Sequence, residues 1–333
     1  MTTAELDVTG VGNAIVDVLA NADDDFLDAQ GIAKGAMTLI DEARAEALYA
    51  AMGPGHEISG GSAANTIAGV ASFGGRAGFI GKLRDDQLGQ VFRHDLTSLG
   101  VQFPTPPATS GPATARCLIN VTPDAQRSMC TYLGAAALLG PDEIDRALIE
   151  KSAIVYFEGY LFDRPEAKAA YRIAAEIAHG AGREVALSLS DSFCVDRHRD
   201  DFLDLIDGHI DLLFANEDEI LSLFQTEDFT DAARRIRGHC EATALTRSEK
   251  GSVILPRGGE GIDIAALPPK ELVDTTGAGD QYAAGFLIGK ARGRPLEECG
   301  RLGAIAASEV ISHYGARPDR NLKELAAEHG ISI

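Results

Sequence analysis

Asp280 stands near the end of the stretch Asp274-Thr275-Thr276-Gly277-Ala278-Gly279-Asp280-Gln281, and the small-residue run from Tyr282 to Phe286 follows it. Two glycines, an alanine and a carboxylate are thereby set where an extended segment turns into a helix. The first turn of a helix leaves its N–H groups without internal partners and carries a partial positive charge. Gly277 and Gly279 let an anion approach that backbone closely, so Gly277, Ala278 and Gly279 form a candidate anion hole. Asp280 would face an anion it can only repel, unless its task is to take a proton from an attacking hydroxyl. A phosphoryl group held by N–H donors beside a base is the chemistry on offer. The competing reading is a glycine-rich strand-to-helix turn whose Asp is favoured by the helix dipole alone.

Composition narrows the choice. The chain has 333 residues, 45% of them hydrophobic, enough to bury the core of one large α/β domain with a small appendage. A net charge of −20 and the lack of any basic run argue against nucleic acid as a partner. The five cysteines, Cys117, Cys130, Cys194, Cys240 and Cys299, are odd in number and make no CxxC pair, which fits a reducing compartment and neither a disulfide frame nor a zinc site. The N-terminus lacks a basic region followed by an apolar core, and no segment approaches the roughly 20 apolar residues of a membrane span. A cytoplasmic protein with no membrane partner is the expectation.

Short apolar runs alternate with amphipathic stretches, as in parallel strands joined by crossover helices. Strands are expected over 6–12, 77–81, 154–158, 185–189, 212–215 and 243–246, and helices over 61–73, 86–99, 165–181 and 231–239. The result is a doubly wound, mostly parallel α/β sheet flanked by helices. Residues 14–40 and 113–133 instead alternate polar and apolar side chains, as half-exposed antiparallel strands do. Segments 14–41 and 109–134 are read as a small β-sheet lid, with 1–13, 42–108 and 135–333 as the core. A dinucleotide-binding dehydrogenase fits poorly, because Gly10-Val11-Gly12 continues with Asn13-Ala14-Ile15 and lacks the third small residue of the GxGxxG turn.

Two distant segments carry a family resemblance. Gly60-Gly61-Ser62-Ala63-Ala64-Asn65, continuing to Gly74-Gly75 and to the 81–89 stretch, resembles the N-terminal signature of the PfkB (ribokinase-like) carbohydrate and nucleoside kinases. Residues 274–287 resemble their C-terminal signature. With the 10–17 segment ending in Asp17 and Asn216-Glu217-Asp218-Glu219 further on, the resemblance spans nearly the whole chain. It implies a ribokinase-like fold, ATP and Mg²⁺, and in-line transfer of the γ-phosphoryl group to a hydroxyl, with Asp280 as general base. It also implies an acceptor set of Asn13, Asp17, Gly60, Gly61 and Asn65. Asn216, Thr246, Arg247, Gly251, Thr275, Gly277 and Gly279 would border the nucleotide. Glu219 would organise Mg²⁺ through water, which suits a cation that keeps most of its own waters. Asp274 and Thr276 match positions that line a K⁺ site in some relatives. One departure is Ser248, which stands where relatives carry the first glycine of Thr-x-Gly-x-x-Gly; serine is costly there if φ is positive.

The acceptor is the harder question. Arg127-Ser128 ahead of a strand that ends in Leu133-Gly134-Ala135-Ala136 resembles the adenosine kinase branch, as do the 157–162, 188–193 and 312–318 segments. Tyr160, Phe162 and Phe193 offer aromatic faces for a purine, while core packing is their alternative reading. Arg127 either closes over phosphates when the lid shuts or lies on the lid surface. Adenosine is the leading acceptor. A sugar kinase acting on fructose, ribose or a keto-deoxy acid is the runner-up, and a non-catalytic nucleotide sensor, which would need no base at 280, is the remote third. The oligomeric state stays open between monomer and homodimer.

Overall fold

The computed structural model of the protein describes residues 4–124 and 126–333. Its strands are β1 (Leu6–Val11), β2 (Ile15–Asn21), β3 (Met37–Leu39), β4 (Gly55–Gly60), β5 (Ala77–Ile80), β6 (Ala115–Val121), β7 (Arg127–Tyr132), β8 (Ser152–Glu158), β9 (Glu184–Ser188), β10 (Leu212–Asn216), β11 (Ala242–Thr246), β12 (Ser252–Pro256) and β13 (Ile262–Ile264). The helices are α1 (Asp24–Gln30), α2 (Glu42–Ala51), α3 (Ser62–Ser72), α4 (Gln87–Ser98), α5 (Arg146–Glu150), α6 (Pro165–Gly180), α7 (Ser192–His209), α8 (Glu217–Phe224), α9 (Phe229–Ile236), α10 (Ala278–Ala291), α11 (Leu296–Val310) and α12 (Leu322–Glu328).

An eight-stranded sheet runs β13-β12-β11-β10-β9-β8-β1-β5, parallel from β5 to β11, with β12 and β13 added antiparallel. Helices cover both faces, so β1 is buried along its whole length, with Asp7 paired to Arg292 and Thr9 hydrogen-bonded to Ser152 among its apolar residues. The antiparallel pair β12–β13 falls outside the expected strands because its residues, 252–256 and 262–264, are too short to show a period of their own.

A second sheet has the order β3-β7-β6-β2-β4. Its alternating faces are as expected, but its pairing is mixed: β2–β6 and β3–β7 are parallel, β2–β4 and β6–β7 antiparallel. The expectation of antiparallel strands throughout fails because the partners of each parallel pair are not joined by a hairpin: α2, α3, β5 and α4 all lie between β2 and β6 and between β3 and β7, and only long connections can bring strands back in parallel. Its edge strand β4 comes from 42–108, which the sequence pattern assigns to the core. Gly55 and Gly60 hide the alternation there, and only the ladder with β2 reveals the strand.

The first turn of α10 is held by what lies behind it. Residues Gln281–Gly289 are all buried, and α10 packs between α3 and α11. Small residues permit this: a Cβ on Gly285 would lie 2.4 Å from the Leu302 carbonyl carbon, and one on Gly69 would lie 2.1 Å from Gln281 Oε1. Helix α9 covers 229–236 rather than 231–239; Asp228 caps its start by accepting from Thr230 N–H, and the chain turns extended at Arg237. No helix among the described residues is long and apolar enough to cross a membrane, and the five cysteines are free and buried.

Candidate active site

Asn13 follows the carboxyl end of β1, Glu158 ends β8, Asn216 ends β10 and Thr246 ends β11. A crevice at the carboxyl ends of parallel strands is where open α/β sheets bind ligands. The start of α10 and the small sheet border the same crevice.

Gly277 is the N-cap of α10, with φ +78°, and a Cβ there would strike Ala316 at 2.6 Å. Among the described residues no backbone carbonyl accepts from the N–H groups of Gly277, Gly279 or Asp280. Ala278 differs: its N–H donates to the carbonyl of Thr275 at 3.2 Å. The anion hole is thus offered by Gly277, Gly279 and Asp280 N–H, and the expected donor at Ala278 is spent on closing the turn. Open space surrounds the Cα of Gly279. Beside it lies a cavity of about 140 Å³ lined by Thr246, Gly251, Ala278, Gly279, Tyr282 and Ile311 among others, with a mostly apolar wall. These features fit a triphosphate on the N–H groups and a flat base in the cavity.

Asp280 accepts from Ser62 Oγ at 2.6 Å and from Asn65 Nδ2 at 3.1 Å. Burial pushes its carboxyl up to about 6, while Ser62 and Asn65 pull it down. Asp17 lies against Gly60, where a Cβ would stand 2.4 Å from its Oδ2, and Gly61 adopts φ +91° against the Asn13 carbonyl. Burial raises Asp17 to about 7; Arg317 and Arg127 lower it and Asp280 raises it. Asp17, Asn65 and Asp280 are thus brought together, with both glycines beneath them.

Glu158 is fully buried and escapes the sequence reading. Its Oε1 accepts from Asn13 N–H at 2.8 Å and Asn13 Nδ2 at 2.6 Å, and its Oε2 from Ala63 N–H at 2.6 Å. Burial raises it to about 7 against those three donors. Asn13 is therefore held by Glu158 through both backbone and side chain. Ser62 and Arg317 also escape the sequence reading, although both sit inside segments quoted for the resemblance. Their types carry no signal until α3 and the 311–318 segment are folded against α10.

Glu219 forms a capping box with Asn216: Asn216 N–H and Nδ2 donate to its two oxygens at 3.0 and 2.7 Å, and Asn216 Oδ1 accepts from Glu219 N–H at 2.8 Å. Burial raises Glu219 to about 7. Each oxygen keeps a lone pair beyond the box, so the carboxylate fits a cation held through water. Asp274 is engaged on both oxygens, by Thr276 N–H and Oγ1, Gly315 N–H and Arg127 at 2.8 Å. Arg127 also reaches Thr276 Oγ1 at 3.2 Å and lies over the Tyr314 ring. It borders a cavity shared with Leu19, His56 and Tyr314, and its ion pair ties the small sheet to the turn ahead of α10.

Other expectations are redirected. Phe162 is core, stacked on Phe202 at 4.0 Å and packed on Tyr171, so it offers no face to a purine. Tyr160 is 41% exposed with its hydroxyl donating to the Ser190 carbonyl, and Phe193 is 64% exposed beneath Arg197. Arg247 pairs with Glu217 at 2.8 Å and covers Phe229. Ser248 does adopt positive φ, +49°, the costly case for serine, and Gly251 has φ +84° against the Ile264 carbonyl.

The pfkB family carbohydrate kinase model matches residues 37–322. The solved structure of adenosine kinase from Sinorhizobium meliloti is 52% identical, with a TM-score of 0.90 over 98% of this chain and 100% of that one. That of a "probable sugar kinase protein" from Rhizobium etli is 50% identical, with a TM-score of 0.91 over 98% and 99%. Cytidine kinase of Thermococcus kodakarensis is 45% identical over 120 residues, 35% of this chain and 42% of that relative.

Proposed function

Because this chain belongs to the pfkB carbohydrate kinase family and so to the phosphotransferases with an alcohol acceptor, we propose that it is an ATP-dependent nucleoside kinase, with adenosine converted to AMP. The observation that carries the reading is Asp280 at the start of α10, hydrogen-bonded by Ser62 and Asn65 beside Asp17. Asp280 takes the proton of the acceptor's primary hydroxyl as that oxygen attacks the γ-phosphorus. The N–H groups of Gly277, Gly279 and Asp280 hold the charge that develops on the transferred group. Asp17 and Asn65 grip the acceptor, and Asn13 acts through Glu158. Thr246, Gly251 and Thr275 border the nucleotide, with Asn216 and Arg247 at its rim. A divalent cation arriving with ATP supplies charge neutralisation, and Glu219 would hold it through water.

Adenosine leads because of the 52% identical adenosine kinase and because Tyr160 keeps an exposed aromatic face. A bare sugar is the second reading, favoured by the 50% identical sugar kinase and by the loss of Phe162 from any base-stacking role. The deciding experiment measures ADP release from Mg-ATP with adenosine, inosine, guanosine, ribose, fructose, 2-keto-3-deoxygluconate or no acceptor, in potassium and in sodium buffer. Preference for adenosine upholds the proposal; preference for a bare sugar replaces it with the second reading. Acceleration in potassium alone would assign a cation to the Asp274–Thr276 turn.

A further inference from the structure

Arg317 lies in the segment that wraps the glycine-rich turn, next to Ala316, whose carbonyl accepts from Gln281 Nε2 at 2.9 Å. Its Nε donates to Asn65 Oδ1 at 3.5 Å, and the same Asn65 donates to Asp280. Its Nη2 is buried with no hydrogen-bond partner among the described residues. A buried guanidinium N–H left unpaired is costly, and in a binding crevice the economical explanation is a ligand that completes it. The charges facing Arg317 say which ligand. Asp17 and Asp95 are its carboxylate neighbours, and Asp95 Oδ2 is already occupied by Ser59 N–H and Oγ at 3.0 and 2.9 Å. Arg127, the other cation near Asp17, is paired with Asp274. One guanidinium against Asp17 and Asp280 leaves the crevice acidic, which disfavours an acceptor carrying a carboxylate or phosphate. A hydroxyl can donate to a carboxylate and accept from a guanidinium at once, so a neutral diol satisfies Asp17 and Arg317 together.

We propose that Arg317 is a specificity-determining residue of the acceptor site, donating to the oxygens of a neutral vicinal diol whose hydroxyls donate to Asp17. The inference rests on the nucleoside kinase reading and deepens it. In wild type and in the Arg317→Met and Arg317→Lys variants, kcat and KM are measured for adenosine, 2′-deoxyadenosine, 3′-deoxyadenosine and ATP. The wild type should prefer adenosine over at least one deoxy analogue by about 10- to 100-fold, the worth of a hydrogen bond to a charged group. Arg317→Met should raise the adenosine KM by a similar factor, leave the ATP KM within about twofold, and abolish most of that preference; Arg317→Lys should fall between. The preference is a ratio within one preparation, so partial misfolding cannot mimic its loss. Wild-type turnover of adenosine with a preference unchanged in Arg317→Met overturns the diol contact alone. Absence of nucleoside turnover by the wild type overturns the nucleoside reading and the contact with it.

Discussion

Asp280 is a half-buried carboxylate at a helix N-terminus, where the dipole favours its charge and desolvation opposes it. Desolvation wins, so the group sits at about 6 and is a stronger base than a solvated aspartate while still ionised at neutral pH. Asp280→Asn keeps the shape of the side chain, with its amide oxygen accepting from Asn65 and its NH2 donating to a Ser62 hydroxyl turned to accept. It should lower kcat by about 10²–10⁴-fold with ligand binding retained, and near-normal turnover would remove the base assignment. In the wild type, kcat/KM should fall as pH drops from about 7 through about 6, because protonation of Asp17 weakens the grip on the acceptor and protonation of Asp280 takes the base away. A profile flat from pH 5 to 8 would contradict the raised carboxyl. Ser248 shows a residue-level cost: at φ +49° it pays for a left-handed backbone that glycine would adopt freely.

At the scale of elements, the site is a meeting of the N-termini of α3 and α10, and Glu158 at the end of β8 fixes the first of them. Three N–H donors from Asn13 and Ala63 converge on its carboxylate. Glu158→Ala leaves them buried and unpaired, and should destabilise the fold by about 3 kcal/mol while raising the acceptor KM. Glu158→Gln keeps one acceptor oxygen and should cost less. Denaturant titration checks the order; an alanine variant as stable as wild type would mean that water replaces the carboxylate. Arg127 and Asp274 join the small sheet to the loop before α10, with side chains only 12% and 8% exposed. Breaking one side of such a pair strands a charge, so Arg127→Met should destabilise more than Arg127→Met combined with Asp274→Asn. Additive single and double variants in a denaturant cycle would show the pair to be energetically independent.

For the whole molecule, one sign of charge dominates. Net charge is −20, and burial pushes Asp17, Glu158 and Glu219 up to about 7 and Asp280 up to about 6, above the ordinary carboxylate range. A raised acid contributes stability that is complete below its unfolded pKa and is lost as pH rises through the folded one. Between about pH 4.5 and 7 these four groups therefore favour the acid side. The lowered acids, Asp7, Asp124, Glu217 and Asp231, act only below that window. Tm should be higher at pH 5.5 than at pH 8 in the absence of ligand. A Tm that rises with pH would show that the four carboxylates ionise without penalty.

The two signature segments, with Asp280, Asn65 and Asp17 in them, are legible because close backbone approach demands glycine at fixed offsets and proton abstraction demands a carboxylate. The parallel sheet is legible because strands buried on both faces tend to be continuously apolar, as Leu212–Ala215 of β10 are. Pairing is a different matter. That β4 joins the small sheet, that β2 and β6 run parallel, and that Phe162 turns into the core rather than the crevice depend on contacts between residues remote in sequence, which local periodicity does not encode. Arg127 and Arg317 look alike as lone arginines. Both keep a buried Nη2 without a hydrogen-bond partner, but tertiary structure pairs the first with Asp274 and sets the second beside Asn65 with no ion pair among the described residues, because only packing decides which charges are neutralised before a ligand arrives.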